Sequence, residues 1–173
     1  LEQAERAEGL DLGLRVLLGG RQACVAASDR RPETLVQLAE RAVAMAREAP
    51  EDPYAGLADP GQLATLRDAD ALDLADPADE PDPAALMDAA RACEGAGLAV
   101  EGVSRSDGAS ADWGLRRIWL AATNGFEGGY ARGSAGIACT MITGEGTGME
   151  RDWAYEGRIH RADLPAPEAI GQL

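Results

Sequence analysis

The side chains that most often perform catalysis are scarce in this chain. Its 173 residues include 16 basic side chains, all of them arginine, and a single histidine, His160. A Walker A loop and a Schiff-base enzyme need a lysine, and an H-E-x-x-H zinc site needs two histidines one helical turn apart. The sequence cannot complete any of these sites. His160 has charged neighbours, so we expect a surface residue rather than a catalytic or metal-binding one.

Two glycine-containing motifs resemble catalytic or binding signatures without completing them. Gly144, Gly146 and Gly148 lack the spacing of a dinucleotide fingerprint and precede acidic residues, so we predict a tight turn between strands. Ser134 lacks the first glycine of a nucleophile elbow and precedes a predicted strand instead of a helix. The sequence therefore assigns no catalytic residue in this chain.

Clustered carboxylates offer two further candidates. The aspartates at 68–73 have part of the spacing of a calcium loop, but the loop's glycine and its final glutamate are missing. Glu150, Asp152 and Glu156 alternate along a predicted strand and share one face. A solvated acidic loop and a solvated strand face are the favoured interpretations, with acid chemistry at Glu150–Glu156 as the alternative. The sequence therefore predicts no metal site.

Composition excludes several classes of partner. The formal net charge is −14, which repels phosphate backbones and argues against nucleic-acid binding. The chain contains no apolar run long enough to span a membrane and no secretory signal pattern, so we expect no membrane contact. Cys24, Cys93 and Cys139 are widely spaced and lie in apolar stretches, which predicts free buried thiols and a cytoplasmic location.

Turn and periodicity signals divide the chain into helices and strands. Gly19-Gly20 and Asn124-Gly125 each predict a hairpin. Gly128-Gly129 and Gly133 predict a bend or bulge in the strand that follows the second hairpin. The predicted strands are 12–18, 22–27, 98–106, 115–123, 126–143 and 149–159, and the predicted helices are 33–48, 83–94 and the start of one at 167–173.

These elements predict an α+β fold. We expect a two-layer α/β sandwich with a largely antiparallel sheet and helices packed on one face. The acidic, proline-rich segment 51–82 is expected to be irregular. The length predicts a single domain over residues 1–173. Because the chain begins at Leu1 without a helix cap, we expect the N-terminal domain fragment of a larger chain, with extra residues upstream and a second domain downstream.

Several stretches together resemble the TldD/PmbA family, nearer its PmbA branch, over almost the whole chain. The resemblance lies in the order and spacing of these stretches. They are Gly13–Val16 with Arg21–Ala23, Arg41–Ala46, Pro50–Leu57, Thr123–Tyr130 and Gly144–Asp152. The resemblance implies a cytoplasmic peptidase system, once described as a modulator of DNA gyrase.

The resemblance also implies what surrounds this chain. TldD-like members of the family carry an H-E-x-x-x-H zinc motif, and PmbA-like members pair with them without a complete one. No stretch here matches that motif, so no catalytic residue transfers to this chain. Zinc is expected only in the full-length parent or its partner. The implied partners are a TldD-like sibling subunit or a second copy of the same chain, and a peptide substrate.

One segment is a candidate for contact with that peptide. Its glycines permit a close backbone approach, and an exposed sheet edge can pair with an extended peptide. The predicted lining residues are Asn124, Gly125, Phe126, Gly128, Gly129 and Tyr130. The alternative is a structural or oligomerisation domain without substrate contact, anchored by Trp119 and Trp153. Direct binding to DNA is a third reading, and it conflicts with the charge.

Overall fold

A computed structural model describes residues 3–65 and 69–173. The described residues form three α-helices and five β-strands in two antiparallel sheets, which confirms the predicted α+β class. Contacts divide the chain into two compact units, Leu1–Leu63 and Ala64–Leu173. None of the described helices is long and apolar enough to cross a membrane.

The first unit is a hairpin covered by one helix. Strands β1 (Leu12–Leu18) and β2 (Arg21–Ala27) pair antiparallel, and helix α1 (Pro32–Glu48) packs on both. Gly19 and Gly20 form the predicted two-residue turn, with φ of 58° and 76°. Buried side chains recur every four residues along α1, at Leu38, Ala42 and Ala46, so one stripe of the helix faces the hairpin.

The second unit is a three-stranded sheet with helices on one face. It comprises helix α2 (Pro83–Leu98), strands β3 (Val103–Ala121), β4 (Glu127–Thr143) and β5 (Glu150–Arg158), and helix α3 (Pro167–Gly171). The strand order is β3-β4-β5, all antiparallel. Cys93 and Ile170 from the helices meet Ile137 and Cys139 from β4 in the core.

The sheet contains one strand where the sequence predicts two. Residues 103–106 of the predicted strand 98–106 and residues 115–121 of the predicted strand 115–123 belong to the 19-residue strand β3, whereas Leu98 still belongs to α2. Bulges lie in β3, between Val103 and Arg105 and between Ser106 and Gly108, and not at the predicted glycines of β4. Residues 104–112 are mostly small and polar with weak β-propensity, so their pairing with β4 on either side of the bulges holds them in the strand.

Helix α2 continues past residue 94, where the sequence predicts its end, and runs through Gly95 and Gly97. Gly97 is buried, and a Cβ atom there would lie 3.1 Å from the Gly171 carbonyl oxygen. A Cβ at Gly171 would lie 3.0 Å from the Gly97 backbone nitrogen and would strike the Cys93 carbonyl. The two glycines therefore let α2 and α3 touch backbone to backbone, which compensates for the low helix propensity of glycine.

The cysteines differ from one another in exposure. Cys93 and Cys139 are buried as predicted, and burial raises the pKa of the Cys93 thiol to about 12. Cys24 is exposed, so the prediction of a buried thiol is wrong there. Strand alternation explains the difference, because Ala23 of β2 is buried and the next side chain must point the other way.

The described residues of the acidic segment 51–82 are largely irregular, as predicted. Its regular structure among the described residues is limited to two short 3-10 turns, Pro60–Gln62 and Asp70–Leu72. Asp68, the first residue of the rejected calcium pattern, lies outside the described residues.

Candidate functional site

The distal half of the β3–β4 hairpin extends past the end of β5. Strand β5 pairs only with Ala135–Thr143 of β4, whereas β3 pairs with β4 as far as Ala121 and Glu127. We call residues 116–132 the hairpin arm. The arm contains all six predicted lining residues, which are Asn124, Gly125, Phe126, Gly128, Gly129 and Tyr130.

The turn at the tip of the arm lies where Asn124-Gly125 predicts it. Ala122 donates its N–H to the Phe126 carbonyl oxygen at 2.9 Å, and Gly125 donates to the Ala122 carbonyl at 3.1 Å. The Asn124 side-chain oxygen accepts the Phe126 N–H at 3.2 Å. Gly125 has a φ of 90° and Asn124 does not have a positive φ, so the turn is longer than the two-residue form that the dipeptide favours.

Large apolar side chains of the arm are exposed to solvent. The exposed fraction is 68% for Trp119, 58% for Leu120, 37% for Ile118 and 38% for Tyr130. On β5, Trp153 is also exposed, at 70%. Trp119 and Trp153 are therefore not core residues of the unit. An exposed apolar surface of this kind is typical of a binding site.

Gly129 fits tightly into the arm, and Gly128 does not. The register places Gly129 opposite Trp119, and a Cβ atom on Gly129 would lie 2.6 Å from Trp119 Cε3 and closer still to the Ile118 carbonyl oxygen. A Cβ on Gly128 would meet only the Phe126 ring, at 3.5 Å. The missing side chain of Gly129 thus permits a close backbone approach, as the sequence suggests, but the approaching backbone is that of β3 within the arm.

The outer edge of β4 in the arm has backbone groups available for pairing. Gly133 donates its N–H to the Leu74 carbonyl oxygen at 2.7 Å, so its backbone points away from β3. Backbone groups alternate sides along a strand, so those of Gly129 and Ala131 point to the same outer side. Within residues 3–65 and 69–173, no strand pairs with that edge.

His160 lies partly exposed at the surface and is an attachment point for the acidic segment. Its side chain is 21% exposed, and Nε2 lies 3.1 Å from the Asp73 carbonyl oxygen and 3.2 Å from Asp73 Oδ1. The neighbouring Arg161 N–H donates to Asp76 Oδ2 at 2.8 Å. Together with the bond from Gly133 to Leu74, these contacts hold residues 73–76 against the middle of β4 and against the segment that follows β5. Nothing in the local sequence indicates contacts between residues 87 positions apart.

This attachment has a pH dependence that can be measured. The Asp73 carbonyl, followed by the carboxylates of Asp73, Asp76 and Asp163, raises the pKa of His160 above its usual 6.5, against the opposing effect of desolvation. A raised pKa stabilises the protonated folded form, so the contribution is complete below pH 6.5 and is lost as the pH rises through the raised pKa.

We expect the ring protons of His160 to titrate in NMR spectra with a midpoint above 6.5. Because the chain has one histidine, the signal is unambiguous. Asp73→Asn should lower the midpoint, and Asp79→Asn, which removes an exposed carboxylate six residues farther along the chain, should leave it unchanged. A midpoint at or below 6.5 in the unmodified chain would contradict the contact between His160 and Asp73.

The other candidate residues do not assemble into a catalytic site. Glu150 and Asp152 line an open cavity of about 520 Å³ beside Gly97 and Leu173. Glu156 forms an ion pair with Arg158 at 2.7 Å, so the three carboxylates do not act together. In the described part of the chain, no three histidine, cysteine or acidic side chains are placed to hold a metal ion. The described residues therefore do not fit the zinc that the family resemblance implies.

Residues of both units match domains of one protein family. Residues 76–173 match the PmbA/TldA metallopeptidase central domain, and residues 1–46 match PmbA/TldA metallopeptidase domain 1. The metalloprotease PmbA of Escherichia coli O157:H7 is 31% identical over 160 residues, which are 92% of this chain and 35% of that protein.

Solved structures share the fold. A proposed modulator of DNA gyrase from Bacteroides thetaiotaomicron VPI-5482 superposes with a TM-score of 0.85 at 23% identity, over 97% of this chain and 38% of that one. TldE from Thermococcus kodakarensis gives a TM-score of 0.65 at 15% identity, over 91% and 35%.

The chain spans about a third of the length of these relatives. The central-domain match alone covers more than half of the 173 residues. Sequence and fold thus agree with the resemblance that the motifs indicate, and the chain belongs to the PmbA/TldD metallopeptidase family.

Proposed function

We propose that this chain contributes a peptide-binding surface to a metallopeptidase assembly of its family. The observation that supports this role is the outer edge of the hairpin arm, where the backbone groups of Gly129 and Ala131 face outward beside exposed apolar side chains. An extended peptide can add to such an edge through main-chain hydrogen bonds. The metal and the hydrolytic step belong to another part of the whole protein or to a TldD-like or identical partner chain.

A scaffold role is the second candidate, and one observation favours it. Trp119 and Trp153 are each about two-thirds exposed, and exposed tryptophans are common anchors of protein interfaces. In this role the arm would contact a second subunit and not a peptide.

Photo-crosslinking distinguishes the two roles. An extended peptide with a benzophenone side chain is irradiated with the 173-residue chain, and the adducts are mapped by mass spectrometry. We expect adducts within residues 126–130. Adducts confined to other segments, or none, would contradict the peptide-binding role and favour the scaffold.

A backbone substitution tests the hydrogen bonding directly. Ala131→Pro removes an N–H that points outward and leaves the bonds to β3 intact, since proline is tolerated where the N–H faces away from the sheet. Ala131→Val keeps the N–H and is the matched control. We expect the proline variant alone to lose the adducts, and equal labelling of both variants would exclude pairing at this edge.

A further inference from the structure

The hairpin arm carries positive charge in an acidic chain. Thirty acidic residues outnumber sixteen basic ones overall, yet residues 116–132 contain three arginines and a single acidic residue, Glu127. Arg116 lies directly opposite Arg132 in the register of β3 and β4. Two like charges at directly opposite positions destabilise a pair of strands, so this arrangement needs a compensating reason.

The two arginines have no acidic partner among the described residues. Other arginines of the same unit do have one: Arg151 pairs with Asp107 at 2.9 Å and Arg158 with Glu156 at 2.7 Å. On the face that Arg116 and Arg132 share, the nearest carboxylate along β3 is Asp112, four residues away and thus about 13 Å distant.

The same face becomes apolar toward the tip. Because the register is regular over the arm, side chains of alternate residues share a face, and Ile118, Leu120 and Tyr130 lie on the face of Arg116 and Arg132. All three are exposed to at least 37%. The face therefore combines two guanidinium groups, without an ion-pair partner in residues 3–65 and 69–173, with an adjoining apolar surface.

We infer that the peptide bound by the hairpin arm is anionic, with acidic and apolar side chains alternating on the face that contacts the arm. This inference rests on the proposed function and specifies its substrate class. A strand added to β4 presents every second side chain to that face. A carboxylate can reach the two guanidinium groups, and the side chain two residues along packs on Ile118 and Tyr130.

A single-stranded nucleic acid is the competing ligand, since arginines and aromatic rings also bind phosphates and bases. The observations favour the peptide. Ile118 and Leu120 offer aliphatic surface in place of a stacking platform. The net charge of −14 repels a polyphosphate, which is charged at every nucleotide, more strongly than a peptide with a carboxylate at every fourth residue.

The test is a set of fluorescently labelled peptides of about nine residues, titrated into the 173-residue chain at low salt. The parent peptide has Glu and Val at alternate even positions and Thr elsewhere, and the two comparison peptides have Gln or Lys in place of Glu. We expect the Glu peptide to bind about tenfold more tightly than the Gln peptide and the Lys peptide to bind most weakly, with the difference shrinking as salt is added.

The arginines are tested by a matched pair of double variants. R116Q/R132Q should abolish the preference for Glu over Gln. R30Q/R41Q removes the same charge from two exposed positions outside the arm and should keep it. A preference that survives R116Q/R132Q would overturn the inference.

Other outcomes separate the inference from the proposed function. Equal affinities for the Glu and Gln peptides, with crosslinks still in the arm, would overturn the anionic preference alone. An absence of any peptide from the arm would overturn both. Tighter binding of an oligothymidylate than of the Glu peptide would also overturn the inference and identify a nucleic-acid site.

Discussion

Ile170→Ala is expected to lower the free energy of unfolding of the second unit by about 2–5 kcal/mol, because truncation of a buried isoleucine leaves a cavity. Ile170 is fully buried and contacts Cys93, Ile137 and Cys139. Helix α3 has only five residues, and it is held by this side chain in the core and by the close approach of Gly171 to Cys93 and Gly97 of α2. Urea denaturation measures the loss.

Ile118→Ala is the matched control, since it removes the same atoms from a side chain that is 37% exposed. We expect a loss below about 1 kcal/mol there. Similar losses for the two variants would mean that Ile170 does not form part of a tightly packed core.

Gly129→Ala is expected to destabilise the hairpin arm by about 1–3 kcal/mol through overpacking. The added Cβ atom would strike the Ile118 carbonyl oxygen and the Trp119 ring, and the backbone oxygen cannot move without disturbing β3. Gly128→Ala changes the unfolded chain in the same way but meets only the edge of the Phe126 ring, so its effect should stay within about 0.5 kcal/mol.

Amide hydrogen exchange within residues 116–132 is the appropriate measurement, because the arm can open locally. Faster exchange in Gly129→Ala alone is the expected result, and equal exchange in both variants would show that Trp119 moves aside at no cost. A loss of peptide cleavage in a Gly129→Val variant would therefore not identify a peptide contact, whereas Ala131→Pro addresses the edge directly.

The sequence predicts those parts of the fold that local turn chemistry decides. Gly19-Gly20 and Asn124-Gly125 locate both hairpins, and Pro32 and Pro83 locate the starts of α1 and α2. The length of β3 was not predictable in this way, because its small polar residues remain extended only through pairing with β4. The glycines inside α2 mislead for a similar reason, since Gly97 serves a contact with Gly171, which is distant in the sequence.

In the candidate site, too, the features set by local turn chemistry were predictable from the sequence, and the features set by the tertiary fold were not. The position of the arm follows from Asn124-Gly125, and the pairing of Arg116 with Arg132 follows from the register once the turn is fixed. Exposure does not follow, because alternation assigns a side chain to a face without saying what covers that face. His160 and Asp73 are brought together only by the tertiary fold.

The contact between Leu74 and Gly133 gives the edge of β4 a fixed length. Strand β5 and residues 73–76 occupy that edge up to Gly133, so six residues of β4, 127–132, remain toward the tip. Six residues of strand span about 20 Å. Under the proposed function, a peptide that runs along β4 from the tip can pair with this edge only as far as Leu74. Peptide residues within that length can form hydrogen bonds with β4, and peptide residues beyond it form none.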